Sequence, residues 1–195
     1  MKELRAFIDA TLEEYPTLWS VYDSSWRSPC EVGDPVEHNG AFAVPWRPSQ
    51  RFGADDFKGL EQAFEREIHP SIKDFYGMYW SGCLEAEATE GHVSLILLWN
   101  PEDRDRLLEN LIGHSLAQKR FRVPLSIFFA CTEPDSNLYL AVNNTSGEVQ
   151  LERPGYKPLR TVADSLQDFL SGLKPAPPYL HPERQGLKSL FESEG

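Results

Sequence analysis

The run from Trp99 to Ala130, WNPEDRDRLLENLIGHSLAQKRFRVPLSIFFA, decides the fold. It reads as the end of one strand, a complete capped helix and the start of the next strand. Asn100 is a good N-cap and Pro101 suits the first helical position, while Glu102 and Asp103 oppose the positive helix end. Leu107, Leu108, Leu111, Ile112 and Leu116 recur at helical spacing, which predicts one broad buried face. Lys119, Arg120 and Arg122 sit where the helix finishes, and Pro124 stops it.

Upstream of this helix, Trp80, Gly82, Leu84, Ala86 and Ala88 alternate with Ser81, Cys83, Glu85 and Glu87, the pattern of a half-buried strand. Glu90-Gly91 turns it into a second, antiparallel strand from His92 to Trp99. Further back, Lys2 to Tyr15 is helical until Pro16. Ser24 to Phe52 is Pro-rich and irregular, with Trp26 and Trp46 packing onto the core and a short edge strand at Ala41 to Val44. A helix opened by Asp55 and Asp56 buries Phe57, Leu60, Phe64 and Ile68, is broken at Pro70, and continues through Tyr76. Downstream, Leu125–Cys131, Leu138–Val142 and Glu148–Leu151 read as strands, with turns at 134–137 and 143–147, and Thr161–Leu173 as a closing helix. The predicted class is α+β, a mostly antiparallel sheet of about five strands with flanking helices. Residues 1–174 form one domain, and 175–195 a Pro-rich tail in which Leu187, Leu190 and Phe191 fall at helical spacing.

Composition narrows the function. With 41% apolar and 12% aromatic residues, the chain is globular. The balance of 30 acidic against 19 basic residues gives a formal charge of -11, which disfavours nucleic acid and favours basic peptides or protein surfaces. Cys30, Cys83 and Cys131 are widely spaced, as reduced cytosolic thiols are. No basic stretch followed by an apolar one opens the sequence, so no signal peptide is expected, and the longest apolar run is too short to span a bilayer.

No phosphate loop, HExxH or GxSxG motif is present, and His38, His69, His92, His114 and His181 lack metal-ligand spacing, so no cofactor or metal is expected. Cys83 or Cys131 with His114 could form a thiol dyad, but His114 beside Gly113 on the apolar helix reads first as structural. Lys119, Arg120 and Arg122 complement the helix C-terminus, and as an anchor on anionic lipid three charges are weak. The carboxylates are richer. Glu85 and Glu87 share a strand face, about 6–7 Å apart. Glu61 and Glu65 lie one helical turn apart, Glu102, Asp103, Asp105 and Glu109 crowd one helix, and Glu133, Asp135 and Glu148 extend the charge along later turns. They read either as a solvated acidic face or as a docking groove for a basic partner.

Beyond these patterns, Glu109-Asn110-Leu111-Ile112-Gly113-His114, followed by Gln118-Lys119-Arg120, Pro124 and Phe129-Ala130, resembles the Syd family of SecY-interacting proteins. Ser28-Pro29-Cys30, Trp46 and Pro48, Glu61 with Ala63-Phe64, Pro70 with Phe75-Tyr76, Ser146-Gly147-Glu148-Val149, and Phe169-Leu170 through Leu173-Lys174-Pro175 match in the same order. The resemblance implies an SMI1/KNR4-like fold with a concave acidic face. It implies a non-enzymatic protein that docks on cytoplasmic SecY loops, peripheral on the inner membrane, and regulates or checks the translocon. Within matching fragments, Glu61, Glu102, Asp103, Glu109 and Glu148 are the candidate contacts; Glu85, Glu87 and Glu133 rest on pattern. A monomer or weak homodimer is expected. The alternatives are an immunity-like protein that binds a basic toxin, and a Cys/His thiol hydrolase.

Overall fold

The computed structural model describes residues 1–52, 57–89, 91–133, 136–178 and 189–190. In chain order the elements are α1 (Lys2–Glu14), β1 (Leu18–Val21), β2 (Val36–His38), β3 (Ala41–Trp46), β4 (Ser49–Gln50), α2 (Lys58–Phe64), α3 (Pro70–Met78) and β5 (Tyr79–Trp80). There follow β6 (Leu84–Ala88), β7 (Gly91–Leu95), α4 (Pro101–Phe121), β8 (Ser126–Cys131), β9 (Tyr139–Asn143), β10 (Val149–Glu152), β11 (Arg160–Ala163), α5 (Leu166–Ser171) and β12 (Lys174–Pro175). The class is α+β.

The main sheet has seven strands in the order β11-β10-β9-β8-β7-β6-β12, every pair antiparallel. Two of its strands lie where none is predicted. Arg160–Ala163 is an edge strand, not the start of a helix, because Thr161 and Arg160 pair with Gln150 and Leu151 of β10. The helix begins only at Ser165, whose hydroxyl accepts from the Asp168 N–H at 3.1 Å. Lys174–Pro175 likewise extends the sheet beside Glu87 and Ala86. The irregular region folds as a three-stranded sheet, β1-β3-β2, with β3 in the middle rather than at an edge.

One face of the main sheet is apolar. Leu84, Ala86, Val93, Leu95, Ile127, Phe129, Leu140, Val142 and Val149 meet α1, α3 and α5 in a continuous core. Phe129 stands edge-on to Phe75 and Phe169, both with ring centroids 5.6 Å away. Pro70 starts a new helix rather than kinking the old one: it occupies the first turn of α3, with His69 as N-cap. The His69 ring lies over Gly147, where an added Cβ would sit 2.7 Å from Nε2 and where φ is +81, so only glycine fits that turn.

α4 starts as predicted. Asn100 Oδ1 accepts from the Asp103 N–H at 2.7 Å, and Asp103 accepts in return from the Trp99 N–H at 3.0 Å. It ends at Phe121, with Arg122 in the left-handed conformation. The buried stripe is narrower than predicted: Leu107 and Leu111 are buried, but Leu116 is 61% exposed, and Ser115 and Gln118 continue the buried line instead. The reason is polar packing. Gln118 Nε2 donates to Ser126 Oγ at 2.6 Å, and Ser126 donates to buried Glu152 at 2.9 Å. The predicted Asp55–Asp56 helix start, part of the 134–137 turn, Glu90, and all of the tail helix except Ser189 and Leu190 lie outside the described residues.

Candidate functional site

Strand registry puts Glu85, Ser94, Cys131, Tyr139 and Glu152 in one row across five strands, on the face opposite the apolar core. α4 covers the β8–β10 half of this face. His114 rests edge-on against Phe128 and Tyr139, each 5.5 Å away between ring centroids. The β6–β7 half stays open and forms the floor of a groove of about 500 Å³. Its walls are Tyr15, Trp19 and Trp26 from the N-terminal part, Trp99 and Asp103 at the start of α4, and Ala176 and Pro178 after β12.

Asn100 fixes this wall. It is buried, and its Nδ2 donates to the Arg27 carbonyl at 2.9 Å, while Trp99 Nε1 donates to the Trp26 carbonyl at 3.1 Å. Trp46 packs edge-on to Trp99 at 5.5 Å and lies so close to Gly82 that a Cβ there would meet its ring at 2.9 Å.

On the floor, Glu85 accepts from His92 Nε2 at 2.8 Å and from Ser94 Oγ at 3.0 Å, so the carboxylate is held in one orientation. Glu133 Oε1 accepts from the His92 N–H at 3.1 Å at the rim. Among the described residues lining the groove are three carboxylates, Glu85, Asp103 and Glu133, and no lysine or arginine; Arg106 stands just outside, 3.8 Å from Asp103 and over the Trp26 ring at 5.3 Å.

The eight predicted carboxylates therefore divide. Glu85, Asp103 and Glu133 converge on the groove, and Glu87 is exposed two residues along β6 on the same face. Glu61 is engaged elsewhere, accepting from the Ile68 N–H at 2.9 Å and pairing with Lys73, and Glu65 is past the end of α2 rather than stacked above it. Glu102 and Glu109 are exposed on α4 and are not groove-lining. Glu148 accepts from Ser146 Oγ at 2.7 Å in the β9–β10 turn.

Cys83 is exposed at the groove, and the other two thiols are poorly placed for nucleophilic work. Burial pushes Cys30 up to about 11 and raises Cys131, whose thiolate the Glu85 charge opposes as well. Burial lowers the pKa of His114 against the raising effect of a hydrogen bond to the Ser126 backbone; its ring faces Phe128 and Tyr139, and its buried Nε2 has no hydrogen-bond partner among the described residues. No group of three or more metal-ligating side chains occurs among the described residues.

His92 and Ser94 are legible from alternation across the β6–β7 hairpin, since they must share the face of Glu87 and Glu85. Trp19 and Trp26 are not, because no periodicity marks which way an irregular segment points.

A family profile described as Syd protein (SUKH-2) matches residues 2–175. The chain belongs to the Syd family. Among its relatives, Protein Syd of Hahella chejuensis is 43% identical over 148 residues, 76% of this chain and 74% of the relative. Protein Syd of Pseudoalteromonas atlantica is 37% identical over 154 residues, 79% and 82% of the two chains. Protein Syd of Colwellia psychrerythraea is 34% identical over 175 residues, 87% of each. The Syd profile thus begins with α1 and ends at Pro175, the last residue of β12 and the edge of the groove.

Proposed function

We propose that this Syd-family chain is a non-enzymatic docking protein that takes a basic cytoplasmic loop of SecY into the groove. The observation that carries the reading is the groove's lining: three carboxylates, no lysine or arginine among the described residues, and tryptophan walls. Cytoplasmic loops of membrane proteins are rich in Lys and Arg, which makes them complementary to such a lining. Glu85, Asp103 and Glu133 are the principal contacts and Glu87 a rim contact. Glu61, Glu102, Glu109 and Glu148 contribute only to the long-range field. Arg106 already stands over the Trp26 ring, and the faces of Trp19 and Trp99 add cation–π sites for the loop's arginines. No described helix is long and apolar enough to cross a membrane, so the reading is peripheral attachment to the inner face of the membrane through the partner.

The test is retention on SecY-containing membranes as salt rises. Glu85→Gln, Asp103→Asn and Glu133→Gln keep the local hydrogen-bond acceptors but remove three charges. The combined variant is expected to bind at least about ten-fold more weakly, with a melting temperature lowered by only about 2–4 °C as the helix-end charge is lost. Binding indifferent both to salt and to these substitutions would overturn the reading.

A further inference from the structure

The opposite end of α4 carries the opposite charge. Residues 116–125 and 153–158 contain five cations, Lys119, Arg120, Arg122, Arg153 and Lys157, and no carboxylate, in a chain whose net charge is -11. The structure brings the two segments together: the Phe121 ring lies against Gly155, 3.4 Å from where a Cβ would stand. Arg153 stacks over the Tyr156 ring at 3.8 Å. None of the five cations is ion-paired among the described residues. Among them stand large side chains with little cover: Phe121 54% exposed, Tyr156 56% and Leu116 61%.

Compensation of the helix C-terminus accounts for Lys119 and Arg120. It does not account for Arg153 and Lys157 on another turn, or for aromatic rings left in solvent between the cations. Cations interleaved with exposed aromatic and aliphatic side chains match the headgroup layer of an anionic bilayer, where charge meets phosphate and rings enter the interface. An acidic peptide would satisfy the charges but leave Leu116, Phe121 and Tyr156 unused. Distance keeps the two ends independent. The 21 residues of α4 span about 30 Å, several times the screening length of roughly 8 Å at physiological salt. The groove's carboxylates therefore do not cancel the patch.

We propose that this end of the molecule, formed by the last turn of α4 and the 153–158 turn, rests on anionic lipid. The proposal stands whether or not the groove holds SecY.

The test is co-sedimentation of the full chain with vesicles of phosphatidylcholine alone, and with one lipid in three replaced by phosphatidylglycerol. Binding is expected only to the anionic vesicles and is expected to fall as salt rises. Each cation at such a surface strengthens binding about five-fold, so the double variant Lys119→Glu/Arg120→Glu is expected to lose well over ten-fold. Lys157→Glu, on the other segment, acts in the same direction and guards against a folding defect in the first variant. The groove variant described above is expected to sediment like the parent. Failure to bind anionic vesicles, equal binding to both lipids, or full binding by both reversal variants would overturn the proposal. So would displacement from the vesicles by polyglutamate at a concentration where polylysine has no effect, which would assign the patch to an acidic protein.

Discussion

The two faces of the seven-stranded sheet solve different problems. One is apolar from β6 to β10 and closed by three helices. The other carries Glu85, His92, Ser94, Tyr139 and Glu152, is roofed by α4 over one half and is open over the other. The closed face supplies stability through burial and has no chemical identity to lose. With α4, the polar face buries Leu107, Leu111, Gln118 and Glu152, and it leaves its other half open as the groove.

The largest expected effect lies on the closed face. Phe129→Ala removes a fully buried ring lodged between Phe75 and Phe169, at a cost of about 3–5 kcal/mol in a denaturant melt. Ile96→Ala on the open half is expected to cost about 1 kcal/mol or less. Equal costs would break the comparison.

Next comes the joint between roof and groove wall. Asn100→Ala deletes an N-cap and removes the donor to the Arg27 carbonyl, together worth about 1–3 kcal/mol. Hydrogen exchange is expected to accelerate in residues 23–31 as well as in the first turn of α4. Acceleration confined to the helix would mean that the wall stands by itself.

The smallest effect tests the roof. Burial raises the pKa of Glu152 above its ordinary 4.5, against the lowering effect of Ser126 and Tyr139. A carboxyl with a raised folded pKa contributes its full stability below its ordinary value, and that contribution is lost as pH climbs through the raised one. Glu152→Gln stays neutral throughout. The variant is therefore expected to gain on the parent as pH rises above about 4.5, a small drift read in parallel melts. A constant difference across that range would mean that Glu152 is not desolvated in solution.

Much of this was legible in the residues. Asn100, Pro101 and Asp103 announce the start of α4 because capping is local chemistry, and the alternation from Leu84 to Ala88 announces β6; the strand expected from Trp80 breaks at 81–83, because Trp80 pairs with β4 in a separate sheet. The far half of α4 was not legible. Leu116 continues a helical stripe in the sequence, and only the Gln118–Ser126–Glu152 chain, joining residues 34 positions apart, turns it outward. Thr161 and Val162 likewise belong to a strand because β10 offers them an edge, which no local signal reports. Of the eight carboxylates, alternation grouped Glu85 with Glu87 on one strand face, while Glu61 is engaged from α2 by Ile68 and Lys73 and Glu148 within its own turn.

The groove has one further consequence. Four of the chain's five tryptophans, Trp19, Trp26, Trp46 and Trp99, line it, and the fifth, Trp80, lies beneath Arg51. The molecule thus carries its own optical reporter. An occupant of the groove has to change the solvent around those indoles, so intrinsic emission will register binding without any attached label.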